Sequence, residues 1–155
     1  MAVVLADLLQ EEHVALDLQA STQAEALQEI IALLRGDEKV RNPAKFFEAV
    51  LARERASSTM MGHGVAFPHA RTDLVEELIL GIGRSQEGVS FGPEGERASL
   101  LFVIGVPRRM VAEYLICVGG LARLVRNDAT RAALLAAKSA REFVERLRSE
   151  STLLE

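Results

Sequence analysis

The run from Leu100 to Val106 is the feature of this sequence that most restricts its fold. Each residue in it is apolar or glycine, and Pro107 ends it. A strand that is covered on one face alternates apolar and polar residues, whereas a strand covered on both faces is apolar nearly throughout. The run therefore predicts a central strand whose sheet has helices packed on both faces.

Helix-start signals recur along the rest of the chain. Thr22 and Glu25 have the spacing of a capping box, and Asn42 followed by Pro43 is typical of an N-cap with proline at the first helical position. Five helices are predicted in all: one after Thr22, one after Asn42, one from about Met110 to Arg126, one capped by Asp128 and one that follows a Ser139–Glu142 capping box.

Shorter strand signals lie between the helices. Val14–Leu18 and Leu78–Ile82 place an apolar residue at every second position, and Val65–Phe67 is a short apolar run. Gly88–Phe91 has the length of a hairpin partner for Leu78–Ile82, so some strands are expected to be antiparallel. Because helices and strands alternate, the sequence predicts the α/β class, with a mixed β-sheet sandwiched between helices in a single domain over residues 1–155.

Composition argues against several classes of function. The 155 residues are 49% hydrophobic and 26% charged, as in a globular domain. A net charge of −4, no Trp and one Tyr argue against a nucleic-acid partner. The lone cysteine cannot form an internal disulfide, no signal-peptide pattern is present, and the apolar runs are too short to cross a bilayer. We therefore expect a cytoplasmic domain with no direct membrane insertion.

The segment from Met61 to Arg71 carries the strongest functional signal. It places His69 directly after Pro68, at the end of a short apolar run that follows Gly62-x-Gly64. Pro68 restricts the backbone, and the glycines allow a tight turn or a close approach to a bound group. This setting favours a histidine that presents a ring nitrogen to a ligand over one that only hydrogen-bonds within a turn.

Groups suited to phosphate surround this histidine in sequence. Neutral imidazole is a nucleophile near neutral pH, and phosphoryl transfer to it needs positive charge and N–H donors around the phosphoryl oxygens. Arg53 offers a guanidinium, Ser58 and Thr59 offer hydroxyls, and the backbone around Gly62 and Gly64 can form an anion-binding nest. By position alone, Arg53 is better explained as a solvated charge at a helix end.

Together, Arg53-Glu54, Ser58-Thr59 and Gly62-x-Gly64-x-Ala66-x-Pro68-His69 resemble the mannitol/fructose-type (type 2) enzyme IIA domain of the bacterial phosphoenolpyruvate-dependent sugar phosphotransferase system, including its nitrogen-regulatory relatives. The similarity extends over nearly the whole chain. It implies that His69 accepts a phosphoryl group from the phosphocarrier HPr and passes it to an enzyme IIB component, and that Arg53 helps to hold the phosphate. It also implies a mixed sheet between helices and no cofactor.

One position departs from the family pattern. The family usually carries a second histidine near the start of the helix that follows its proline-terminated strand, and Tyr114 aligns there. A phenol can donate a hydrogen bond to phosphate or to His69, but it cannot carry positive charge as imidazole does. The substitution favours an alternative, a regulatory module whose phosphorylation state controls a target protein. A packing role for Tyr114 is equally consistent, and a homodimer is left open.

Other interpretations concern His63 and metal binding. His63 fits either an exposed turn or the lining of the phosphate site. A metal site built from His63, His69 and Cys117 lacks the local spacing of zinc motifs, so no metal is expected. A hydrolase with His69 as general base lacks a nucleophile and an orienting carboxylate, because Asp73 fits a cap of the next element better.

Apolar side chains near the motif offer a docking surface for partner proteins. Met60, Met61 and Phe67 are suitably placed for a rim around the histidine, although ordinary core positions are equally consistent. In the Met110–Arg126 helix, one apolar stripe is expected to face inward: Val111, Tyr114, Leu115, Val118, Ala122 and Val125.

Overall fold

A computed structural model describes residues 5–151 of the chain. Within this range the α-helices are α1 (Gln23–Ala32), α2 (Pro43–Ala56), α3 (Val111–Arg126), α4 (Asp128–Ala136) and α5 (Ala140–Ser151). The strands are β1 (Val14–Ala15), β2 (Val65–Ala66), β3 (His69–Arg71), β4 (Ile79–Ser90) and β5 (Arg97–Val106). Short 3₁₀ turns cover Leu5–Leu8, Glu11–His13, Pro93–Gly95 and Arg108–Met110.

The sheet is mixed, as predicted. Its order is β1-β4-β5-β2, and β3 pairs with β5 as well. Strands β4 and β5 are antiparallel, whereas β1 runs parallel to β4, and β2 and β3 run parallel to β5. Because β2 pairs with Leu100–Leu101 and β3 with Ile104–Val106, the two strands follow one another along the same edge of β5.

Strand β5 is covered on both faces, as its apolar run predicted. Leu100 and Phe102 belong to a core cluster formed with α3, α4 and α5, whereas Leu101 and Val103 belong to a second cluster formed with α1 and α2. The period-two alternation of a strand therefore distributes the run between two helical layers. The α/β sandwich predicted from the sequence is confirmed.

Most helix starts follow the predicted caps. The Thr22 hydroxyl accepts from Glu25 N–H, the Asn42 side chain accepts from Lys45 N–H, and Ser139 Oγ accepts from Glu142 N–H. The cap of α4 was predicted wrongly. Asn127, rather than Asp128, accepts from the Thr130 N–H at 3.0 Å, so Asp128 is the first residue inside the helix.

The predicted hairpin between Leu78–Ile82 and Gly88–Phe91 was also wrong. Residues 79–82 and 88–90 belong to the single strand β4, which pairs with β5 on either side of a register shift between Arg84 and Val89. Gly88 adopts φ of 84° at this irregularity, so the glycine marks a bulge rather than a chain reversal.

No helix between residues 5 and 151 combines the length and the apolar character needed to cross a lipid bilayer.

Candidate functional site

Hydrogen bonding distinguishes the two ring nitrogens of His69, the first residue of β3. Its Nδ1 lies 3.0 Å from the carbonyl oxygen of Phe67. Because a carbonyl oxygen only accepts, Nδ1 carries the proton of the neutral ring, and the free lone pair is on Nε2. Nε2 has no hydrogen-bond partner within residues 5–151. Every fully buried side-chain nitrogen or oxygen in that range has a partner, so Nε2 is not fully buried. Nε2 is therefore open to solvent as a nucleophile.

A cavity of about 470 Å³ lies beside this ring. Three elements converge on it, because Arg53 comes from α2, His69 and Arg71 come from β3, and Tyr114 comes from α3. Its full lining is Ala49, Arg53, His69, Ala70, Arg71, Val111, Tyr114 and Leu115. Two guanidinium groups beside an open imidazole nitrogen suit an anion such as a phosphoryl group.

The Arg53 side chain is anchored at the end of its own helix. Its Nη1 donates to the carbonyl oxygen of Ser57 at 2.8 Å. No carboxylate within residues 5–151 forms an ion pair with it. The other N–H donors of the guanidinium therefore remain available to an anion in the cavity.

Several groups act on the charge of His69. Burial lowers its pKa from the ordinary value of 6.5, and it has the largest effect. The hydrogen bond to the Phe67 carbonyl and the Glu54 carboxylate raise the pKa, while the cations Arg53 and Arg71 lower it. The net result is a pKa below 6.5, so the ring is neutral and nucleophilic at neutral pH.

Tyr114 lies against the His69 ring. The two ring centroids are 5.2 Å apart and the planes are tilted by 34°. Burial raises the pKa of the Tyr114 phenol, although Arg53 opposes this effect, so the phenol stays protonated and can donate a hydrogen bond. Tyr114 also packs against the core cluster of α3, so packing and proximity to the site coincide in one side chain.

Ser58 and Thr59 lie between α2 and β2, but neither lines the His69 cavity. Ser58 Oγ accepts from Met60 N–H at 3.1 Å. The Thr59 hydroxyl donates to the buried Glu54 carboxylate at 2.5 Å, and the Thr59 N–H donates to the same group at 2.8 Å. Their role as phosphate ligands stays a prediction, and the contacts show them supporting the local backbone.

The Gly-x-Gly turn also lies outside this cavity. Gly62, His63 and Gly64 all have positive φ, at 92°, 56° and 73°. Gly62 and His63 line a separate cavity of about 260 Å³ with Arg126. The Gly64 carbonyl accepts from Ser99 N–H and Leu100 N–H, which attaches the turn to β5. None of the three lines the His69 cavity, so a phosphate contact by any of them stays a prediction.

The apolar surface differs from the predicted rim. Phe67 is only 6% exposed and stacks on Phe102, and Met60 packs against the core of α1 and α2. Met61 is 40% exposed, as a rim residue would be. The larger apolar exposure is on α3, where Leu115 is 59% exposed and Ile116 is 69% exposed.

The inward position predicted for Leu115 is therefore wrong. Val125 of the predicted stripe is buried, but Leu115 is not among the buried residues of α3, which are Cys117, Gly120, Leu121, Leu124 and Val125. Because α3 has hydrophobic residues on most of its sides, its sequence does not indicate which side packs against the sheet.

Two residues near His69 were missed in the sequence. Arg71 is two residues after His69 on β3, and the period of a strand puts both on one face, so this signal was available. Glu54 is 3% exposed and acts on the His69 charge. Glu54 is part of the motif that carries the family resemblance, but the sequence assigned it no role, because by position alone it is one charge in a charged stretch after Arg53.

Cys117 is buried in α3, and burial raises the pKa of its thiol. In the described part of the chain, no group of three or more His, Cys, Asp and Glu side chains is arranged to hold a metal ion. The groups that surround the His69 cavity are two arginines and a phenol, which suit an anionic ligand.

Comparison with known proteins identifies the class to which this fold and its imidazole–guanidinium site belong. A family model described as "Phosphoenolpyruvate-dependent sugar phosphotransferase system, EIIA 2" matches residues 7–150. The chain belongs to this EIIA type 2 family, and the resemblance seen in the sequence is confirmed.

Relatives include both sugar-specific and regulatory proteins. The fructose-specific EIIA component of Haloferax volcanii is 30% identical over 129 residues, which are 83% of this chain and 84% of that protein. The fructose-specific EIIABC component of Bacillus subtilis is 29% identical over 87% of this chain. This chain spans only 21% of that larger protein.

Solved structures show the same fold. The nitrogen regulatory protein IIA-Ntr of Neisseria meningitidis has a TM-score of 0.84 and 31% identity, covering 92% of this chain and 97% of that one. Enzyme IIA mannitol of Escherichia coli, solved in complex with phosphorylated enzyme IIB mannitol, has a TM-score of 0.79 and 25% identity, covering 91% and 97%.

Proposed function

We propose that this chain is a phosphohistidine carrier. His69 accepts a phosphoryl group from an HPr-type phosphocarrier and passes it to an enzyme IIB component in sugar uptake. The open Nε2 of His69, in a cavity shared with Arg53 and Tyr114, carries this proposal. The E. coli relative in complex with phosphorylated enzyme IIB supports a partner of the IIB class.

His69, Arg53 and Tyr114 each have a role in the transfer. The Nε2 lone pair attacks phosphorus in line with the departing donor nitrogen, which keeps the electrons of the broken P–N bond. The Arg53 guanidinium binds the phosphoryl oxygens, and the Tyr114 hydroxyl donates a hydrogen bond to them. Nδ1–H stays on the Phe67 carbonyl, which stabilises the positive charge that the ring gains. That charge makes the ring a good leaving group for onward transfer.

Labelling tests the proposal. Wild type and His69→Ala are incubated with ³²P-labelled phosphoenolpyruvate, enzyme I and the cognate HPr. We expect acid-labile, base-stable label on wild type and none on the variant, with mass spectrometry locating the phosphate at His69. Wild type that stays unlabelled while HPr is labelled would contradict a carrier function.

A regulatory function is the second candidate, and Tyr114 favours it. The phenol beside His69 cannot take up positive charge when a partner withdraws the phosphate. The similarity to the nitrogen regulatory protein of N. meningitidis also supports it. Chasing the labelled protein with candidate IIB proteins separates the two functions, because a transport component loses its label within the chase and a regulator keeps it and binds another target.

A further inference from the structure

A continuous hydrogen-bonded path joins the end of α2 to the His69 ring. The Glu54 carboxylate accepts from Thr59 N–H at 2.8 Å and from Thr59 Oγ1–H at 2.5 Å. The Thr59 carbonyl accepts from Phe67 N–H at 3.2 Å. The Phe67 carbonyl in turn accepts from Nδ1–H of His69 at 3.0 Å.

The first member of this path is an unusual group to bury. Glu54 is 3% exposed, yet no Lys, Arg or His within residues 5–151 forms an ion pair with it. A buried carboxylate is costly unless hydrogen bonds compensate it, and here the two donors of Thr59 do so. The same carboxylate acts on the charge of His69. Its position therefore links the loop backbone to the imidazole.

Phe67, the member of the path that contacts the His69 ring, is fixed by contacts of its N–H, its side chain and the residue that follows it. The Phe67 N–H is bound by Thr59, its ring stacks on Phe102 with centroids 5.4 Å apart, and Pro68 follows it with a restricted φ. The Pro68 carbonyl accepts from Ile104 N–H at 2.9 Å. These contacts set the direction of the Phe67 carbonyl, and that carbonyl decides which nitrogen of His69 carries the proton.

We infer that Glu54 and Thr59 are positioning residues of the acceptor site: through the Phe67 backbone they hold His69 with Nδ1 protonated and Nε2 free. The kinetic consequence rests on the proposed function, whereas the tautomer of His69 does not depend on it.

The test combines substitution at Thr59 with NMR of the imidazole. Thr59→Val removes the hydroxyl at nearly constant volume, and Thr59→Ser restores it. In Thr59→Val, the ¹⁵N chemical shifts of the ring should show a smaller fraction of the Nδ1–H form. Phosphoryl acceptance from HPr should be roughly tenfold slower, the usual cost of losing a residue that orients a functional histidine. Thr59→Ser is expected to stay within about twofold of wild type.

Two further variants complete the design. Glu54→Gln keeps the side-chain volume and removes the negative charge. Both the Nδ1–H fraction and the pKa of His69 should therefore fall. The other groups around the ring, Arg53, Arg71 and Tyr114, are unchanged in this variant. Glu25→Gln is the matched control, because Thr22 Oγ1 donates to Glu25 at 2.8 Å at the exposed start of α1. It should change neither quantity. Thermal unfolding identifies any variant that does not fold, and Glu54→Gln decides the result if Thr59→Val fails.

The outcomes separate the two proposals. An unchanged tautomer and an unchanged acceptance rate in folded Thr59→Val and Glu54→Gln would overturn the inference. A slower rate without a tautomer change would also overturn it, because the effect would not pass through the imidazole. If wild type accepts no phosphate but its tautomer depends on Thr59, the positioning role stands and the carrier function fails.

Discussion

At the residue scale, His69 lies between groups that act on its charge in opposite directions. Burial, Arg53 and Arg71 disfavour the imidazolium form, whereas the Phe67 carbonyl and the Glu54 carboxylate favour it. Burial has the largest effect, so the pKa of His69 is lowered. A nucleophile needs the neutral ring, and the lowered pKa extends the pH range in which that form dominates.

The pH dependence of phosphoryl acceptance should therefore extend below the range of free histidine. We expect the rate to fall only as the pH approaches the lowered pKa of His69, below 6.5. Arg53→Gln removes a cation that disfavours the imidazolium, so the pKa of His69 should rise while acceptance falls on the order of 100-fold through loss of the phosphate anchor. An NMR titration of the ring and labelling rates measure the two effects.

Arg123→Gln is the control for this prediction, since Arg123 is exposed on α3 and is not among the charges that act on His69. A His69 pKa that is equal in wild type and Arg53→Gln would contradict the electrostatic argument.

The lowered pKa of His69 also determines how the stability of the folded protein changes with pH. The folded pKa lies below the unfolded value, so His69 reduces stability as the pH falls from 6.5 through the folded pKa, and it has no effect above that range.

At the element scale, α1 approaches β4 so closely that glycine is needed in the strand. A Cβ on Gly83 would lie 2.5 Å from Ile30 Cδ1 and 2.8 Å from Leu18 Cδ1. A Cβ on Gly81 would lie 2.9 Å from Ile30 Cγ2. These glycines bring the helix layer against the sheet, and the same layer includes α2, which carries Arg53 and Glu54.

Gly83→Ala should destabilise the protein by about 1–3 kcal/mol through overpacking. Gly119→Ala in α3 is the opposite case, because a Cβ there meets nothing within 4 Å. It should stabilise the protein by roughly 0.5–1 kcal/mol through helix propensity. Urea denaturation of both variants measures the difference. Equal free energies of unfolding for the two variants would contradict the prediction, because α1 would then accommodate the added Cβ at position 83 without loss of stability.

At the scale of the whole molecule, a buried arginine joins segments that are distant in sequence. Arg84 on β4 is 4% exposed, and its guanidinium donates to the carbonyl oxygens of Leu16, Leu134 and Ala137 at 3.0, 3.0 and 2.7 Å. It thereby connects the segment after β1 with the carboxyl end of α4, where helix carbonyls lack partners of their own.

Arg84→Met should lower the free energy of unfolding by about 3 kcal/mol, because it leaves buried carbonyl groups without donors. The tautomer of His69 should be unchanged, because Arg84 is not part of the His69 cavity. Arg97→Met is the matched control. Arg97 is an exposed arginine on β5 that donates to the Gly88 carbonyl at 2.8 Å, and its loss should cost about 0.5 kcal/mol. Comparable losses in the two variants would contradict the argument.

Much of the fold could be predicted because its signals are local. The caps at Thr22 and Asn42 and the apolar run of β5 depend on neighbours in sequence. The errors arose where a local pattern has two solutions. Gly88 is compatible with a turn or with a bulge, and only pairing with β5 makes β4 one strand.

The sequence by itself determined the α/β sandwich, the family and the histidine after Pro68, because periodicity, capping and motif spacing are properties of adjacent residues. Tertiary structure alone decided which groups meet that histidine. Packing of α2 and α3 around β3 places Arg53 and Tyr114 beside His69, while His63 borders a different cavity. Such contacts join residues that are far apart in the chain, so they exist only once the layers have packed on the sheet.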